Sequence, residues 1–199
     1  MAPASHIASD SASVLTQPSP AAASAGVHVV VMGVAGCGKS AVGRQLAGRL
    51  QLPLIEGDDF HPESNIRKMR LGMPLEDADR TGWLQELGRQ LALQPDGAVL
   101  TCSALKKTYR DTLREAVPAL RFVHLAISPS ESLRRVSSRP GHFYPPSLVT
   151  SQFDALEDPQ HDDAGRADGR RSVLSLAADA AGVEGLADSA LQWLVPAPR

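Results

Sequence analysis

The chain has 199 residues, of which 43% are hydrophobic and 21% are charged, as is usual for one globular domain with a single core. Its formal net charge of -2 provides no general attraction to nucleic acid or to an anionic membrane, so we expect neither as a partner. No apolar run approaches the ~18 residues of a membrane-spanning helix. Two cysteines, Cys37 and Cys102, are too few for a disulfide framework, and we expect reduced thiols in a cytoplasmic protein.

The first 26 residues differ in composition from the rest of the chain. They are rich in Ala, Ser and Pro and contain no Lys or Arg. This composition is typical of a disordered segment, and it argues against a secretory signal or an organelle transit peptide. The sequence therefore predicts a disordered tail over residues 1–26 and one domain over residues 27–199.

The domain opens with a β-branched run, VHVVVM at residues 27–32, that leads into glycines. This pattern predicts a buried strand of a parallel sheet. A helix is predicted from near Gly38, with apolar positions that recur every four residues at Val42, Leu46 and Leu50. Pro53 ends this helix, and residues 54–55 begin a second short strand.

Strands and helices continue to alternate along the chain. Further strands are predicted at residues 98–101, 122–127 and 173–176. Further helices are predicted at residues 80–93, around 105–113, at 129–138 behind a capping box in Ser128-Pro129-Ser130-Glu131, and at 183–194 with Val183, Leu186, Ala190 and Leu194 buried. Segments 140–146 and 158–171 are predicted loops. The fold class is therefore α/β, an open parallel sheet with helices on both faces.

Residues 33–40, GVAGCGKS, match the phosphate-loop pattern G-x-x-x-x-G-K-[ST] between a predicted strand and a predicted helix. Glycines let the backbone wrap closely around a phosphate, and the helix N-terminus then points at it. Lys39 is suited to neutralise β and γ oxygens, and the Ser40 hydroxyl is suited to ligate Mg²⁺. The pattern predicts a P-loop site for ATP and Mg²⁺ formed by Gly33, Val34, Ala35, Gly36, Cys37, Gly38, Lys39, Ser40 and Ala41.

The phosphate loop alone does not say which kind of P-loop protein this is. A switch GTPase needs an N-K-x-D-like guanine reader together with a D-x-x-G segment after a strand, and we find no such pair. A nucleotide kinase needs an acceptor site for a base and a phosphate, which the sequence neither shows clearly nor rules out.

Three further blocks resemble the gluconokinase family of P-loop kinases. They are EGDDFHPESNIRKMRLGMPLEDADR at 56–80, CSALKKTYRDTLR at 102–114 and RPGHF at 139–143. With the phosphate loop, the resemblance spans residues 27–159, and the CSALK-x-x-YRD string is far more specific than a Walker motif. Shikimate kinase, a structural relative, lacks this string. The resemblance implies a parallel sheet with a mobile lid, acting on ATP and D-gluconate to give 6-phosphogluconate.

Asp58 follows the predicted second strand, and the carboxyl ends of strands line the ligand crevice of an open α/β sheet. It is the first choice as the base that accepts the proton of the acceptor hydroxyl. It is also the first choice as the metal-side carboxylate, because the predicted third strand ends in Thr101-Cys102-Ser103 without an acid. Asp59 is a weaker candidate.

The family blocks supply polar and cationic groups for a polyhydroxy acid. We favour Arg110 for the gluconate carboxylate, because a planar guanidinium binds a carboxylate through two hydrogen bonds. A surface ion pair is the alternative for Arg110, and Lys68 fits a surface role equally well. The predicted substrate-binding residues are Asp58, His61, Asn65, Lys68, Arg80, Lys106, Arg110 and His142.

The RPGHF block is predicted to be part of the lid. Gly141 permits hinge motion, and Arg139 is a catalytic candidate beside Lys39 and Asp58, since closure brings it to the γ-phosphate. Closure also excludes water, which would otherwise accept the phosphoryl group. His142 fits a packing role as well as a substrate role. One departure from the family, Thr81-Gly82-Trp83, predicts a looser start for the helix there.

The leading interpretation is a gluconokinase that transfers the γ-phosphoryl of MgATP to the terminal hydroxyl of gluconate. Two alternatives stay open: a shikimate-kinase-like enzyme for another sugar acid or polyol, and a non-catalytic nucleotide-binding regulator. Intact Lys39, Ser40 and Asp58 speak against the regulator, because binding alone needs no base. Related kinases are often dimers, so the resemblance also implies a homodimer.

Overall fold

The computed structural model describes residues 26–138, 145–163 and 171–195. Its strands are β1 (Val27–Met32), β2 (Leu54–Glu56), β3 (Gly97–Cys102), β4 (Arg121–Ala126) and β5 (Val173–Ala177). They form one parallel sheet in the order β2-β3-β1-β4-β5, which confirms the predicted fold class. Because β1 is central, the loop after it lies in the middle of the edge where open α/β sheets bind ligands.

Seven α-helices and three short 3-10 turns connect and flank the strands in the described part of the chain. The helices are α1 (Lys39–Leu50), α2 (Glu63–Arg70), α3 (Asp77–Ala92), α4 (Lys107–Ala116), α5 (Pro129–Ser137), α6 (Val149–Ala155) and α7 (Val183–Leu194). The 3-10 turns are Gly57–Phe60, Pro146–Leu148 and Pro159–Asp163. No helix in these ranges is long and apolar enough to cross a membrane.

Alternating residues of β1 bury both faces of the sheet. Val29 and Val31 pack in the cluster formed with α1 and α7, whereas Val30 and Met32 pack in the cluster formed with α3 and α4. All four are fully buried. A central parallel strand covered by helices on both faces therefore reads as a continuous apolar run, as the sequence does here.

Helix α3 begins at Asp77 instead of Arg80, so the prediction of a looser start near Trp83 is wrong. The backbone N–H of Glu76 donates to the Asp79 carboxylate at 2.8 Å, which caps the helix before Thr81 is reached. The acidic residues of the first turn also favour this start, because they lie at the positive end of the helix dipole.

Helices α2 and α6 were not predicted from the sequence, and one residue of α7 that was predicted to be buried is not. In α2 only Asn65 and Met69 are buried, so the helix has no apolar stripe to reveal it. In α6 only Val149 is buried. Val183 is 36% exposed because it is the first residue of α7, while the other three predicted core positions of that helix are buried.

The predicted tail and the predicted lid loop lie almost entirely outside the described residues. Of the tail, residues 1–25 are outside this range, as are residues 139–143, the whole of the RPGHF block. Disorder in the first segment and lid motion in the second remain predictions. The predicted start of α5 is confirmed, since the Glu131 N–H donates to the Ser128 hydroxyl. The predicted capping box is only half formed, because the Ser128 N–H donates to the Asp179 carboxylate instead of the Glu131 carboxylate.

Candidate active site

The phosphate loop joins β1 to α1 in a conformation that its glycines allow. Gly33, Gly36 and Gly38 have φ angles of 138°, 77° and 102°, which residues with a Cβ rarely adopt. Helix α1 then begins at Lys39. Its first N–H groups have no partner within the helix, and the positive end of its dipole lies at the loop. This arrangement suits a phosphate anion.

Some side chains of the phosphate loop are buried in the protein core, and others lie on the side of the loop where a phosphate would bind. Val34 and Cys37 are buried beneath it, so only their backbone groups remain for a nucleotide. The Lys39 ammonium group donates to the carbonyl oxygens of Gly33 and Val34 at 3.0 Å each. These two bonds hold the positive charge against the loop. Ala41 is half-buried in the first turn of α1.

A single cleft runs from the phosphate loop to helix α3 at the carboxyl edge of the sheet. The loop contributes Ala35, Gly36, Gly38, Lys39 and Ser40 to its wall. Asp58, His61, Arg80 and Trp83 also line it. Ser103, Ser151 and Gln152 also face this cleft. Phosphate-binding groups and acceptor-binding groups therefore share one space.

Glu56, the last residue of β2, is a functional candidate that the sequence analysis missed. Its Oε2 atom accepts hydrogen bonds from the Ser40 hydroxyl, at 3.0 Å, and from the Thr101 hydroxyl. Arg44 approaches its Oε1 atom at 3.6 Å. Glu56 pairs with Thr101 in the register of β2 and β3, so β2 supplies the acid that the end of β3 lacks. Its position at a strand end was the available signal.

Asp58 lies exposed in the 3-10 turn after β2 and lines the cleft. Burial raises the pKa of the nearby Cys102 thiol to about 12, so that thiol stays protonated. The Asp58 charge also raises the Cys102 pKa, and the charges of Lys39 and Arg80 lower it. All three charged groups are therefore within electrostatic reach of the end of β3, as the sequence analysis expected of a shared site.

His61 and Trp83 form a stacked pair in the lining of the cleft. Their ring centroids are 4.0 Å apart and the planes differ by 15°. The Trp83 Nε1–H group donates to the Gly57 carbonyl at 2.8 Å, which fixes the indole. Burial lowers the pKa of His61 to about 4, although Asp58 opposes this shift, and Arg80 adds to it. The imidazole is therefore neutral near pH 7, with one donor and one acceptor nitrogen.

Arg80 is the predicted substrate cation that the structure places in the cleft. Its Nη1 atom donates to the Leu75 carbonyl, and its guanidinium lies 5.6 Å from the centre of the Tyr109 ring. The Tyr109 hydroxyl donates to the Asp77 carboxylate, which also accepts from Lys106 at 2.7 and 2.8 Å. Lys106 therefore joins α3 to α4 beside the aromatic ring that supports Arg80.

Two more predicted substrate residues contact helix α3. The Asn65 side chain is buried and donates to the Asp79 carbonyl at 2.8 Å. Lys68 donates to both oxygens of the Asp79 carboxylate, at 2.7 and 2.8 Å. These bonds fasten α2 to the first turn of α3, so Asn65 and Lys68 support the cleft wall that carries His61.

Arg110 does not reach the cleft, and the prediction that it binds the gluconate carboxylate is wrong in this geometry. Its side chain is fully buried and makes a two-pronged pair with Asp162, at 2.7 and 2.8 Å. Its Nη1 atom donates to the carbonyls of Ala104 and Leu105. Burial raises the pKa of Asp162, but the hydrogen bonds from Arg110 and Arg114 outweigh this and hold it below its usual value. The proposed surface pair is also wrong, since this pair is internal.

Replacing Arg110 by Met is expected to destabilise the fold by about 3–5 kcal/mol. The buried Asp162 carboxylate would then lose one of the two guanidinium groups that balance its negative charge. Urea unfolding followed by circular dichroism measures this. Lys107→Met, at an exposed pair with Asp111, is the matched control and is expected to cost about 0.5 kcal/mol or less. Unchanged stability of the Arg110 variant, combined with a large rise in KM for gluconate, would restore the substrate role.

Two predicted residues, Arg139 and His142, lie outside the described residues, so their catalytic and substrate roles remain predictions. The structure thus gathers Lys39, Ser40, Asp58, His61 and Arg80 in one cleft. It adds Glu56 beside Ser40 and Gln152 beside Ala35. Gln152 is 117 residues from Ala35 along the chain, so no local pattern indicated that contact.

Several known proteins similar to this chain are named as gluconokinases. The shikimate kinase family model matches residues 35–157. The gluconokinase of Gluconobacter oxydans (strain 621H) is 46% identical over 138 residues, covering 68% of this chain and 78% of that protein. The thermosensitive gluconokinase of Escherichia coli (strain K12) is 43% identical over 142 residues, covering 70% and 76%.

A solved structure agrees with these sequence matches. The crystal structure of a gluconokinase from Sinorhizobium meliloti 1021 has a TM-score of 0.73 and 42% identity, covering 84% of this chain and 91% of that chain. Sequence and fold therefore agree over most of both proteins. The chain belongs to the gluconokinase family, and it is an ATP-dependent phosphotransferase with an alcohol group as its acceptor.

Proposed function

We propose that this protein phosphorylates D-gluconate with ATP and releases 6-phospho-D-gluconate and ADP. The observation that supports this most is the single cleft that joins the phosphate loop to Asp58 and Arg80. A kinase for a sugar acid needs a phosphate site, a proton acceptor and a cation for the carboxylate, and these three features provide them. Relatives named gluconokinase direct the choice among sugar acids to gluconate.

Arg80 takes the role for the gluconate carboxylate that the sequence analysis favoured for Arg110. Arg80 lines the cleft, whereas the guanidinium of Arg110 is committed to Asp162. A guanidinium can donate two parallel hydrogen bonds to a carboxylate. The neutral His61 ring beside it is suited to the hydroxyl groups of the sugar chain, because it offers both a donor and an acceptor.

In the proposed reaction, Asp58 accepts the proton of the terminal hydroxyl of gluconate. The hydroxyl oxygen forms a bond to the γ-phosphorus as the bond from that phosphorus to the bridging oxygen of ADP breaks. Lys39 stabilises the negative charge on the transferring group and on the bridging oxygen. Most of the catalysis comes from position and charge, which is why a preorganised loop matters.

The residues around Ser40 fit Mg²⁺. The Ser40 hydroxyl lies 3.0 Å from the Glu56 carboxylate, and these are the oxygen donors that a hard cation prefers. No group of three or more His, Cys, Asp or Glu side chains within the described ranges is arranged to hold a metal. Mg²⁺ needs only one or two carboxylates, because water and phosphates complete its shell. An ion held there would supply positive charge that offsets the negative charge of the nucleotide phosphates. We propose Ser40 and Asp58 as its protein groups, with Glu56 orienting Ser40.

Replacing Glu56 by Gln is therefore expected to raise the Mg²⁺ concentration for half-maximal activity by about tenfold, as removal of an orienting carboxylate does at other metal sites. Activity measured across a Mg²⁺ titration at saturating ATP and gluconate tests this. Glu86→Gln, at an exposed pair with Arg89, is the control and should leave the titration unchanged. An unaltered Mg²⁺ dependence of the Glu56 variant would show that Glu56 only caps Ser40.

A coupled assay of ADP release tests the function itself. The panel contains gluconate, related sugar acids, shikimate and water alone, each with MgATP. Turnover selective for gluconate supports the proposal, and turnover with another acid would keep the kinase but overturn the substrate. Binding of ATP without turnover would favour a regulator.

We also propose a cytoplasmic homodimer that acts on a small molecule, without nucleic-acid or membrane partners. The net charge of -2 and the reduced, buried cysteines support the location and the absence of such partners. The family resemblance supports the dimer. Light scattering after size-exclusion chromatography measures the assembly, and a mass of one chain would overturn it.

A further inference from the structure

Ala35, in the middle of the phosphate loop, is held by two side chains from outside the loop. Its N–H group donates to the Gln152 side-chain oxygen of α6 at 2.6 Å. Its carbonyl oxygen accepts from the Ser132 hydroxyl of α5 at 2.7 Å. Both backbone polar groups of one loop residue are therefore bonded to side chains of two later helices.

The Ser132 bond is directed away from the cleft. The Ser132 side chain is fully buried, and Ser132 does not line the cleft. Packing on this side is close, because a Cβ added to Gly36 would lie 2.9 Å from the Ser132 carbonyl oxygen. The carbonyl of Ala35 is therefore drawn into the protein interior, toward α5.

The planar peptide bond passes this orientation on to Gly36. The Ala35 carbonyl and the Gly36 N–H belong to the same peptide unit, and in a trans unit they point in opposite directions. A carbonyl turned toward α5 leaves the Gly36 N–H turned toward the cleft, which Gly36 lines. Among the described residues that N–H has no hydrogen-bond partner. It is available to an anionic phosphoryl group.

Gln152 secures the other side of the same residue. By accepting from the Ala35 N–H it restrains rotation of the preceding peptide, and it does so from the wall of the cleft. The loop thus has one N–H committed to the protein and the next one presented to the ligand. Two restraints are needed because the glycine that follows allows many backbone conformations.

We infer that Ser132 and Gln152 are positioning residues for phosphoryl transfer, which hold Ala35 by its carbonyl and its N–H and so aim the Gly36 N–H at the transferring phosphoryl group. The inference rests on the proposed kinase function. Neither side chain touches the reacting atoms in this role. Both act through the backbone of the loop.

The two hydrogen bonds that hold Ala35 predict a specific kinetic pattern. Ser132→Ala and Gln152→Met each leave Lys39 and the start of α1 in place, so MgATP still binds. However, a Gly36 N–H that points in another direction no longer stabilises the transition state. Each variant is expected to lower kcat by about 10–100-fold while KM for MgATP and for gluconate changes by less than about threefold. Because both act on one residue, the double variant should lose little more than the worse single variant.

The experiment measures kcat and both KM values for the parent, the two single variants and the double variant. Ser189→Ala and Gln90→Met repeat the same chemical changes on α7 and α3, at hydrogen bonds distant from the loop. A thermal midpoint for every protein separates loss of folding from loss of catalysis. The controls are expected to keep the parent kcat.

The proposal is overturned if both variants keep kcat within twofold, if KM for MgATP rises as much as kcat falls, or if the two effects multiply in the double variant. Since Ser132 is buried and Gln152 is at the cleft, Gln152→Met still decides the matter if Ser132→Ala fails to fold. The parent's turnover with gluconate tests the proposed function separately. If the parent instead uses another acid, the ratio of variant to parent is measured with that acid.

Discussion

Replacing Lys39 by Met is expected to lower kcat by about 10³-fold or more. Lys39 is the positively charged residue of the phosphate loop. Its ammonium group donates to two loop carbonyls at 3.0 Å each. Methionine has a similar length but no charge. The β and γ oxygens of ATP would then lose the ammonium group of the loop, and less positive charge would oppose the negative charge that builds up during transfer.

The coupled assay of ADP release with saturating MgATP and gluconate measures this loss. Lys107→Met removes an ammonium group from an exposed pair with Asp111 and is expected to keep the parent activity. Nucleotide binding by calorimetry completes the comparison, since a smaller loss in affinity than in kcat places the charge in the transition state. A Lys39 variant that kept more than a tenth of the activity would remove Lys39 from the mechanism.

The phosphate loop and the central strand could be predicted because their signals are local. The apolar run of β1, the glycines after it and the start of α1 follow one another within 27–40, and each constrains its neighbours. The N-cap at Ser128 was equally local. Helix α2 escaped prediction because burial of only Asn65 and Met69 gives no periodic pattern.

The partners of the site residues were harder to predict, because they are distant along the chain. Arg110 is separated by 52 residues from Asp162, and nothing near Arg110 indicated that its charge would be satisfied internally. The sequence therefore indicated a suitable cation, but it did not indicate that the Arg110 side chain points to Asp162 and not into the cleft. Gln152 shows the converse, since an ordinary residue of a short helix becomes relevant once the fold brings it to Ala35.

Glu56 lies between these two cases. Its place at the end of β2 was visible, but the Thr101 and Ser40 hydroxyls that it accepts from are brought to it by strand register and by the first turn of α1. Because the end of β3 carries no acid, Asp58 was predicted from the sequence as the metal-side carboxylate. In the structure Glu56 accepts from Ser40, a proposed metal ligand, whereas Asp58 lines the cleft and keeps its proposed roles as base and metal group.

Asp58→Asn is expected to lower kcat by about 10²–10⁴-fold, the usual contribution of a general base, while ATP still binds to the phosphate loop. Asparagine keeps the size of the side chain but cannot accept the proton of the hydroxyl. His61 cannot take over, because burial already holds its pKa near 4, and removing the Asp58 charge, which raises that pKa, moves it lower still. The imidazole would stay neutral and weakly basic at pH 7.

The matched control is Asp59→Asn, the same change at the adjacent exposed residue, which does not line the cleft. We expect it to keep kcat within about threefold, so the pair of variants assigns the base to one of two neighbouring carboxylates. Equal losses in both would mean that the turn after β2 acts by its total negative charge. An Asp58 variant with normal turnover would exclude proton transfer to this carboxylate, and the kinase would then rely on the phosphate loop and its bound ion alone.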